Sequence, residues 1–263
     1  MHHVKSIKGI LFDLDGVLYI GKKPIQGAIQ AINKIRTQGY QCRFVTNTST
    51  LSTLSIRDKI NAIGFNVVQS EIMSAPQAAL NFLEKQPNPV CHLLLADDVK
   101  KDFSHFSQSD TAANFIVIRD IGDTWTYALL NEVFTSLMNG AKLIAIHKNR
   151  FWQTESGLNI DIGAFIAGLE YASNSEAMLI GKPSADFFKA ALSDMQLNQH
   201  EVLMVGDDID SDIEGAQQAG ISGILVRTGK YRKAYTDAST TKPYLTIDSI
   251  TDLPKVLSKL AAI

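Results

Sequence analysis

Lys8-Gly9-Ile10-Leu11-Phe12-Asp13-Leu14-Asp15-Gly16-Val17-Leu18 is an apolar run that ends in two carboxylates. Ile10, Leu11 and Phe12 read as a strand buried on both faces, as in the middle of a parallel sheet. Asp13 then falls at the carboxyl end of that strand. In open α/β sheets this is the edge where ligands bind, so an acid there is placed for chemistry more than for packing. Asp15 would share a face with Asp13 if the strand continued. Gly16 points instead to a tight turn that lets both acids face one point.

Working outward, Ile25, Ala28, Ile29, Ile32 and Ile35 recur at helical spacing behind Pro24 and Gly27, and Gln38-Gly39 closes that helix. Cys42-Arg43-Phe44-Val45 is a second apolar strand, ending at Thr46-Asn47-Thr48-Ser49. A right-handed strand–helix–strand unit brings Asp13 and Thr46 to the same sheet edge. A helix over residues 50–63 follows. The same style returns near the end of the chain. Gly181-Lys182-Pro183 precedes a helix over residues 184–195, and the buried strand Val202-Leu203-Met204-Val205 runs into Gly206-Asp207-Asp208-Ile209-Asp210-Ser211-Asp212. A short helix over residues 213–219, the strand Ile224-Leu225-Val226 and a last helix over residues 250–260 complete it.

Between these halves lie three more strand candidates, Leu93-Leu94-Leu95, Phe115-Ile116-Val117-Ile118 and Leu143-Ile144-Ala145-Ile146. With helices after Ala96, over residues 125–138 and over residues 163–172, they describe a second α/β domain of about a hundred residues. The expected fold is a Rossmann-like parallel-sheet core, residues 1–78 and 180–263, interrupted by an inserted α/β domain over residues 79–179.

With 263 residues, 45% of them hydrophobic, the chain can fill two modest cores. Its net charge of −2 supplies no basic field for nucleic acid and no polybasic membrane patch. No apolar run approaches the roughly 20 residues that span a bilayer. Met1-His2-His3-Val4-Lys5 leads into the first strand without the apolar core of a signal peptide, so a cytoplasmic protein is expected. Cys42 and Cys91 sit in predicted strands without metal-ligand spacing and read as buried, inert thiols.

Four polar groups thus fall at strand ends or just before helices, on one edge of the expected core sheet: Asp13 with Asp15, Thr46 with Asn47, Lys182, and Asp207 with Asp212. Any one acid in such a place is ordinarily a turn residue or a helix cap. The combination carries the argument. Three or more converging carboxylates repel one another unless a cation neutralises them, and an all-oxygen donor set suits Mg2+. A lysine and a hydroxyl beside that cation make a pocket for a phosphoryl group.

The motif Asp13-Leu14-Asp15-Gly16-Val17-Leu18, the Val45-Thr46-Asn47 strand end, Gly181-Lys182-Pro183 and the segment from Gly206 to Asp212 resemble, in order, the four motifs of the haloacid dehalogenase superfamily. Within it, the chain resembles subfamily IIA, in which a large α/β cap follows the second motif. The stretches Leu143-Ile144-Ala145-Ile146-His147-Lys148 and Val226-Arg227-Thr228-Gly229-Lys230-Tyr231 share that likeness. Spacing agrees, since only the gap between Thr46 and Lys182 has room for a lid. A sugar-phosphate mutase, capped in the first gap, is therefore disfavoured, and Asp15 disfavours a true dehalogenase, whose halide leaves without a proton.

The resemblance implies a Mg2+-dependent phosphatase acting on a small phosphorylated molecule, pyrophosphate-like compounds included. Asp13 would be the nucleophile and form an aspartyl-phosphate. Asp15 would give a proton to the leaving oxygen and take one from water. Thr46 and Asn47 would bind phosphoryl oxygens, and Lys182 would screen Asp13 from the phosphate. Asp13, Asp207 and the backbone carbonyl of Asp15 would hold the metal, with Asp212 acting through water or by orienting Lys182. Asp208 and Asp210 are expected to be solvated or to cap the next helix. His147 to Trp152 would form a specificity loop, or else an exposed turn with Phe151 and Trp152 in the cap core. Asp161 to Gly163 would return the chain to the cap's last helix. Pairing of two copies through the cap is implied too. A non-catalytic phosphate-binding or regulatory protein, and a phosphotransferase to an acceptor other than water, are the alternative readings.

Overall fold

The computed structural model describes residues 7–154 and 157–261, without the side chains of residues 151–158. By its internal contacts the chain divides into two compact units. The first is Met1–Thr46, Ile56–Met73 and Lys182–Ile263, and the second is Asn47–Ser55 and Ser74–Gly181.

The first unit is organised on a sheet whose order is Leu245–Ile247, Ser222–Val226, Val202–Gly206, Gly9–Asp13, Gln41–Thr46, Ile72–Ser74. The pairings among the first five strands are parallel. All five residues of Gly9–Asp13 are buried, as an apolar run flanked by strands on both sides requires. Phe12 stacks on Phe44 of the next strand at 5.8 Å. From this central strand the chain moves first to Gln41–Thr46 on one side and returns much later to Val202–Gly206 on the other. The reversal opens a crevice at the carboxyl ends of these strands, and Asp13 stands at it.

The helix Ala28–Thr37 buries Ala28, Ala31, Ile32 and Ile35. It starts later than the apolar period suggested, because Lys23–Pro24 pairs with Tyr19–Ile20 in a small antiparallel hairpin. The helix expected from residue 213 starts earlier. Asp208 Oδ1 accepts from the amides of Asp210 and Ser211, both at 3.1 Å, and starts a π-helical turn, Ile209–Glu214, that leads into Gly215–Gln218. Ile72–Ser74 and Leu245–Ile247, not expected from the sequence, flank the sheet.

The second unit has its own parallel sheet, in the order Met178–Leu179, Lys142–Ala145, Phe115–Ile118, Val90–Leu94, Ser107–Gln108. The helices Tyr127–Met138 and Ile162–Ser173 pack on a core of Ile116, Ile118, Val133, Ile162 and Ile166. Phe151–Thr154 and Gly157–Ile160 pair antiparallel. The segment 47–55 is held by side chains of this unit: the Ser52 amide donates to Asp98 Oδ2 at 2.8 Å and the Thr53 amide to Asp102 Oδ2 at 3.0 Å. Among the described residues no helix is long and apolar enough to cross a membrane.

Cys42 and Cys91 are both buried free thiols. Burial pushes each up to about 11, far from the thiolate range at neutral pH. Titration with a disulfide reagent at pH 8 is expected to find almost no reactive thiol in the native protein and both after denaturation. Rapid labelling of the native protein would contradict this packing.

Candidate active site

Three side chains meet at the crevice because three separate stretches end there. Asp13 closes the central strand, where it lies opposite Val45 in register, one residue before Thr46 closes the neighbouring strand. Asp207 follows directly on Gly206, the last residue of the strand on the other side. Lys182 lies just ahead of the helix Ala185–Met195. Asp13, Thr46, Lys182, Asp207 and Asp212 are all buried.

Lys182 Nζ donates to Asp13 Oδ1 at 2.5 Å and to Asp212 Oδ1 at 2.7 Å, so one ammonium bridges two carboxylates. Asp13, Asp207 and Asp212 each offer an oxygen within 4.8 Å of the others. Asp207 Oδ2 accepts from the Lys230 amide at 2.6 Å, whereas Asp207 Oδ1 is buried with no hydrogen-bond partner among the described residues. Such an orphaned carboxylate oxygen is costly unless something positive meets it. Burial raises Asp13 above the usual carboxylate range, with Lys182 pulling against it. Asp207 is pushed up to about 6, first by burial, against the Lys230 amide that lowers it. For Lys182 burial pulls down, but Asp13 and Asp212 outweigh it and hold the ammonium protonated. Three acids against one ammonium leave the cluster strongly negative when ionised, and Lys230 Nζ, 3.4 Å from Asp208 Oδ2, is partly engaged elsewhere.

Two glycines allow this crowding. Gly16 (φ 88) and Gly229 (φ 56) both adopt left-handed backbone, and a Cβ on either would run into Asp207 Oδ2. The Thr228 hydroxyl donates to the Gly16 carbonyl and ties the two loops together. The amide of Lys230 and the hydroxyl of Thr228 are site features that side-chain patterning did not single out. The only sequence signal was the likeness of the stretch from Val226 to Tyr231, which named no role.

Of the other expected residues, Asp15 is exposed and lies outside the three-carboxylate cluster. Asn47 belongs to the second unit, where its side chain approaches Gly181. Asp208 caps the following turn, and Asp210 accepts from the Tyr235 hydroxyl at 2.6 Å. Asp212 bonds Lys182 directly. In the second unit His147 is buried, with Nδ1 3.9 Å from Asp161 Oδ1 and without a hydrogen-bond partner among the described residues, and Asp161 caps the helix Ile162–Ser173. Lys148 pairs with Glu170 at 2.6 Å. The side chains of Phe151 and Trp152 lie outside the described residues.

Residues 10–107 match the family model of haloacid dehalogenase-like hydrolases, and residues 179–253 match a second, HAD-hydrolase-like model. The chain is 39% identical over 246 residues to haloacid dehalogenase-like hydrolase domain-containing protein 2 of Bos taurus, covering 93% of each chain. It is 37% identical over 239 residues to phospholysine phosphohistidine inorganic pyrophosphate phosphatase of Danio rerio, covering 88% of this chain and 87% of that one. Its fold matches the p-nitrophenyl phosphatase from Archaeoglobus fulgidus with a TM-score of 0.88 at 24% identity, over 96% of this chain and 100% of that one.

Proposed function

Because the chain belongs to the haloacid dehalogenase-like hydrolase family, we propose that it is a Mg2+-dependent phosphatase that frees phosphate from a small phosphorylated molecule through an aspartyl-phosphate on Asp13. The observation that carries this reading is the ammonium of Lys182 on Asp13 Oδ1, beside the orphaned Oδ1 of Asp207. A structural ion pair would need neither the third acid nor an unsatisfied buried oxygen.

Asp13 attacks phosphorus with a carboxylate oxygen. As the bond from phosphorus to the leaving oxygen breaks, Asp15 delivers its proton to that oxygen. Water then attacks the aspartyl-phosphate, Asp15 takes the water's proton, and the Asp13 carboxylate is restored. The exposure of Asp15 supports this division, since a carboxyl outside the buried cluster can meet a substrate's leaving oxygen and the water that follows it. Lys182 keeps Asp13 from repelling the incoming phosphate, and Asp212 holds Lys182 in place. Thr46 and Asn47 bind phosphoryl oxygens.

The donor set fits Mg2+: oxygens only, three carboxylates clustered, and one oxygen, Asp207 Oδ1, without a hydrogen-bond partner among the described residues. Asp13, Asp207 and the Asp15 carbonyl would hold the ion, which when bound would offset the cluster's negative charge and that of the phosphoryl oxygens. The inserted α/β unit, expected over residues 79–179, serves as the cap that chooses the substrate, and pairing of two copies can be read by light scattering. Phosphoamino acids and inorganic pyrophosphate head the substrate panel, after the activity in the name of the Danio rerio relative.

The test is turnover of p-nitrophenyl phosphate with Mg2+, lost with EDTA and regained with added Mg2+; turnover indifferent to chelation would overturn the metal assignment. A second readout needs no activity. Asp207 has a raised carboxyl in the metal-free protein, so its contribution to stability is present below the unfolded carboxylate range and is lost as pH rises through about 6. Mg2+ should therefore raise the melting temperature more at pH 7.5 than at pH 5, where it competes with the proton. An equal shift at both pH values would place the ion elsewhere.

A further inference from the structure

The loop that carries Asp15 is fastened at its far end by a residue no motif includes. The Gly16 amide donates to the Tyr19 carbonyl at 2.7 Å and the Leu18 amide to the Leu14 carbonyl at 2.9 Å. Asp15 and Tyr19 are themselves bridged, so the backbone bearing the carboxyl and that bearing the ring form one small closed loop. Tyr19 then enters the hairpin with Lys23–Pro24. Its ring is only 2% exposed.

Lys59, on the helix Thr53–Ala62, sets its Nζ 4.7 Å from the centroid of the Tyr19 ring. The neighbouring acid, Asp58, is already engaged by Arg57 at 2.6 Å. A cation over an aromatic face is attracted by the ring quadrupole, more strongly as the pair is desolvated. The phenol is held above its ordinary range by burial first, and then by the carboxylates of Asp15 and Asp13. Buried and faced by the Lys59 ammonium, the Tyr19 ring is the fixed point of the loop that carries Asp15.

We propose that Tyr19 and Lys59 are positioning residues for Asp15: the ring, pinned by the ammonium, holds the Asp15–Tyr19 loop so that the Asp15 carboxyl reaches the leaving oxygen. This rests on the phosphatase reading above. Asp15 matters in proportion to how much the leaving oxygen needs a proton. A p-nitrophenolate departs almost unaided, whereas a phenolate of nearly the same size gains far more from protonation. Loosening the loop therefore costs turnover of phenyl phosphate and largely spares p-nitrophenyl phosphate.

The experiment compares kcat/KM for these two esters, with Mg2+, in the full chain and in Lys59→Met, Lys59→Arg and Tyr19→Phe. Lys59→Met is expected to lose about 5- to 10-fold on phenyl phosphate and less than about twofold on p-nitrophenyl phosphate. Lys59→Arg keeps a cation on the ring and should restore most of the loss. Tyr19→Phe keeps the ring and should resemble the unaltered chain. Equal losses on both esters, or none on either, would overturn the proposal, since a merely structural pair moves both substrates together. The same selective loss in Tyr19→Phe would assign the effect to the hydroxyl and overturn the ring–ammonium account. If the unaltered chain turns over neither ester, the phosphatase reading itself has failed, and the proposal falls with it.

Discussion

Asp13→Asn is expected to lower kcat on p-nitrophenyl phosphate by about 10^4-fold or more while leaving the fold intact. The amide occupies the same space at the end of the central strand and can still meet Lys182. It cannot act as an anionic nucleophile, so no aspartyl-phosphate forms. Loss of a nucleophile is the severest single change an active site suffers, because the other groups have nothing to assist. The substitution also removes one of three clustered carboxylates, so the metal-free protein should be no less stable, and any surplus negative charge is relieved. Steady-state kinetics with thermal unfolding separates the two effects. Activity within about tenfold of the unaltered chain would mean that phosphate is transferred without Asp13.

Lys182→Met carries the second large effect, on both stability and turnover. It strips the ammonium from Asp13 and Asp212 and leaves two buried carboxylates facing one another. Removing one partner of a buried pair costs about 3–5 kcal/mol, a large share of the stability of an ordinary domain. The sign with pH follows. Without Lys182 and with no Mg2+ added, the acids relieve their repulsion by binding protons, so the loss should be greatest at neutral pH and shrink as pH falls through 6 towards 5. Adding Asp212→Asn should recover part of the stability but not the activity, because Asp13 would still meet phosphate unscreened. Denaturation midpoints at pH 7.5 and 5 for both variants provide the measurement. A Lys182→Met protein as stable as its parent at neutral pH would contradict the buried bridge.

Those two expectations draw on different levels of the chain. Asp13 was legible because its neighbours are local: three apolar residues make a strand, the strand must be buried, and the acid that ends it must stand at the sheet edge. The helix Ala28–Thr37 and the strand Gln41–Thr46 were legible for the same reason, since periodicity is a property of a few consecutive residues. Asp212 was harder. The motif likeness set it apart from Asp208 and Asp210 and left two roles open, through water or on Lys182; composition alone does not choose between them. The cap of Asp208 on the amides of Asp210 and Ser211 winds the segment as a π-helical turn and brings Asp212 round to Lys182, while Asp210 turns to Tyr235.

The flanking strands Ile72–Ser74 and Leu245–Ile247 are three residues each, too short to show a period, and they are extended because a neighbouring backbone needs partners. The amide of Lys230 on Asp207 could not be read at all, since every residue but proline has such an amide and only the chain's path aims it. The hairpin that takes up Pro24 is likewise a pairing, and pairing is nonlocal.

By itself, then, the sequence determined the buried central strand, the acids and the lysine available to one sheet edge, and a family whose motifs lie at those positions. The tertiary structure alone decided that Asp212 meets Lys182 directly, which oxygen of Asp207 is left without a partner among the described residues, and that Lys59 lies over the ring of Tyr19. The physical reason is range. Burial and period are set by neighbours along the chain, whereas the charge balance of a site is set by groups that the fold brings within a few ångströms from nearly two hundred residues away.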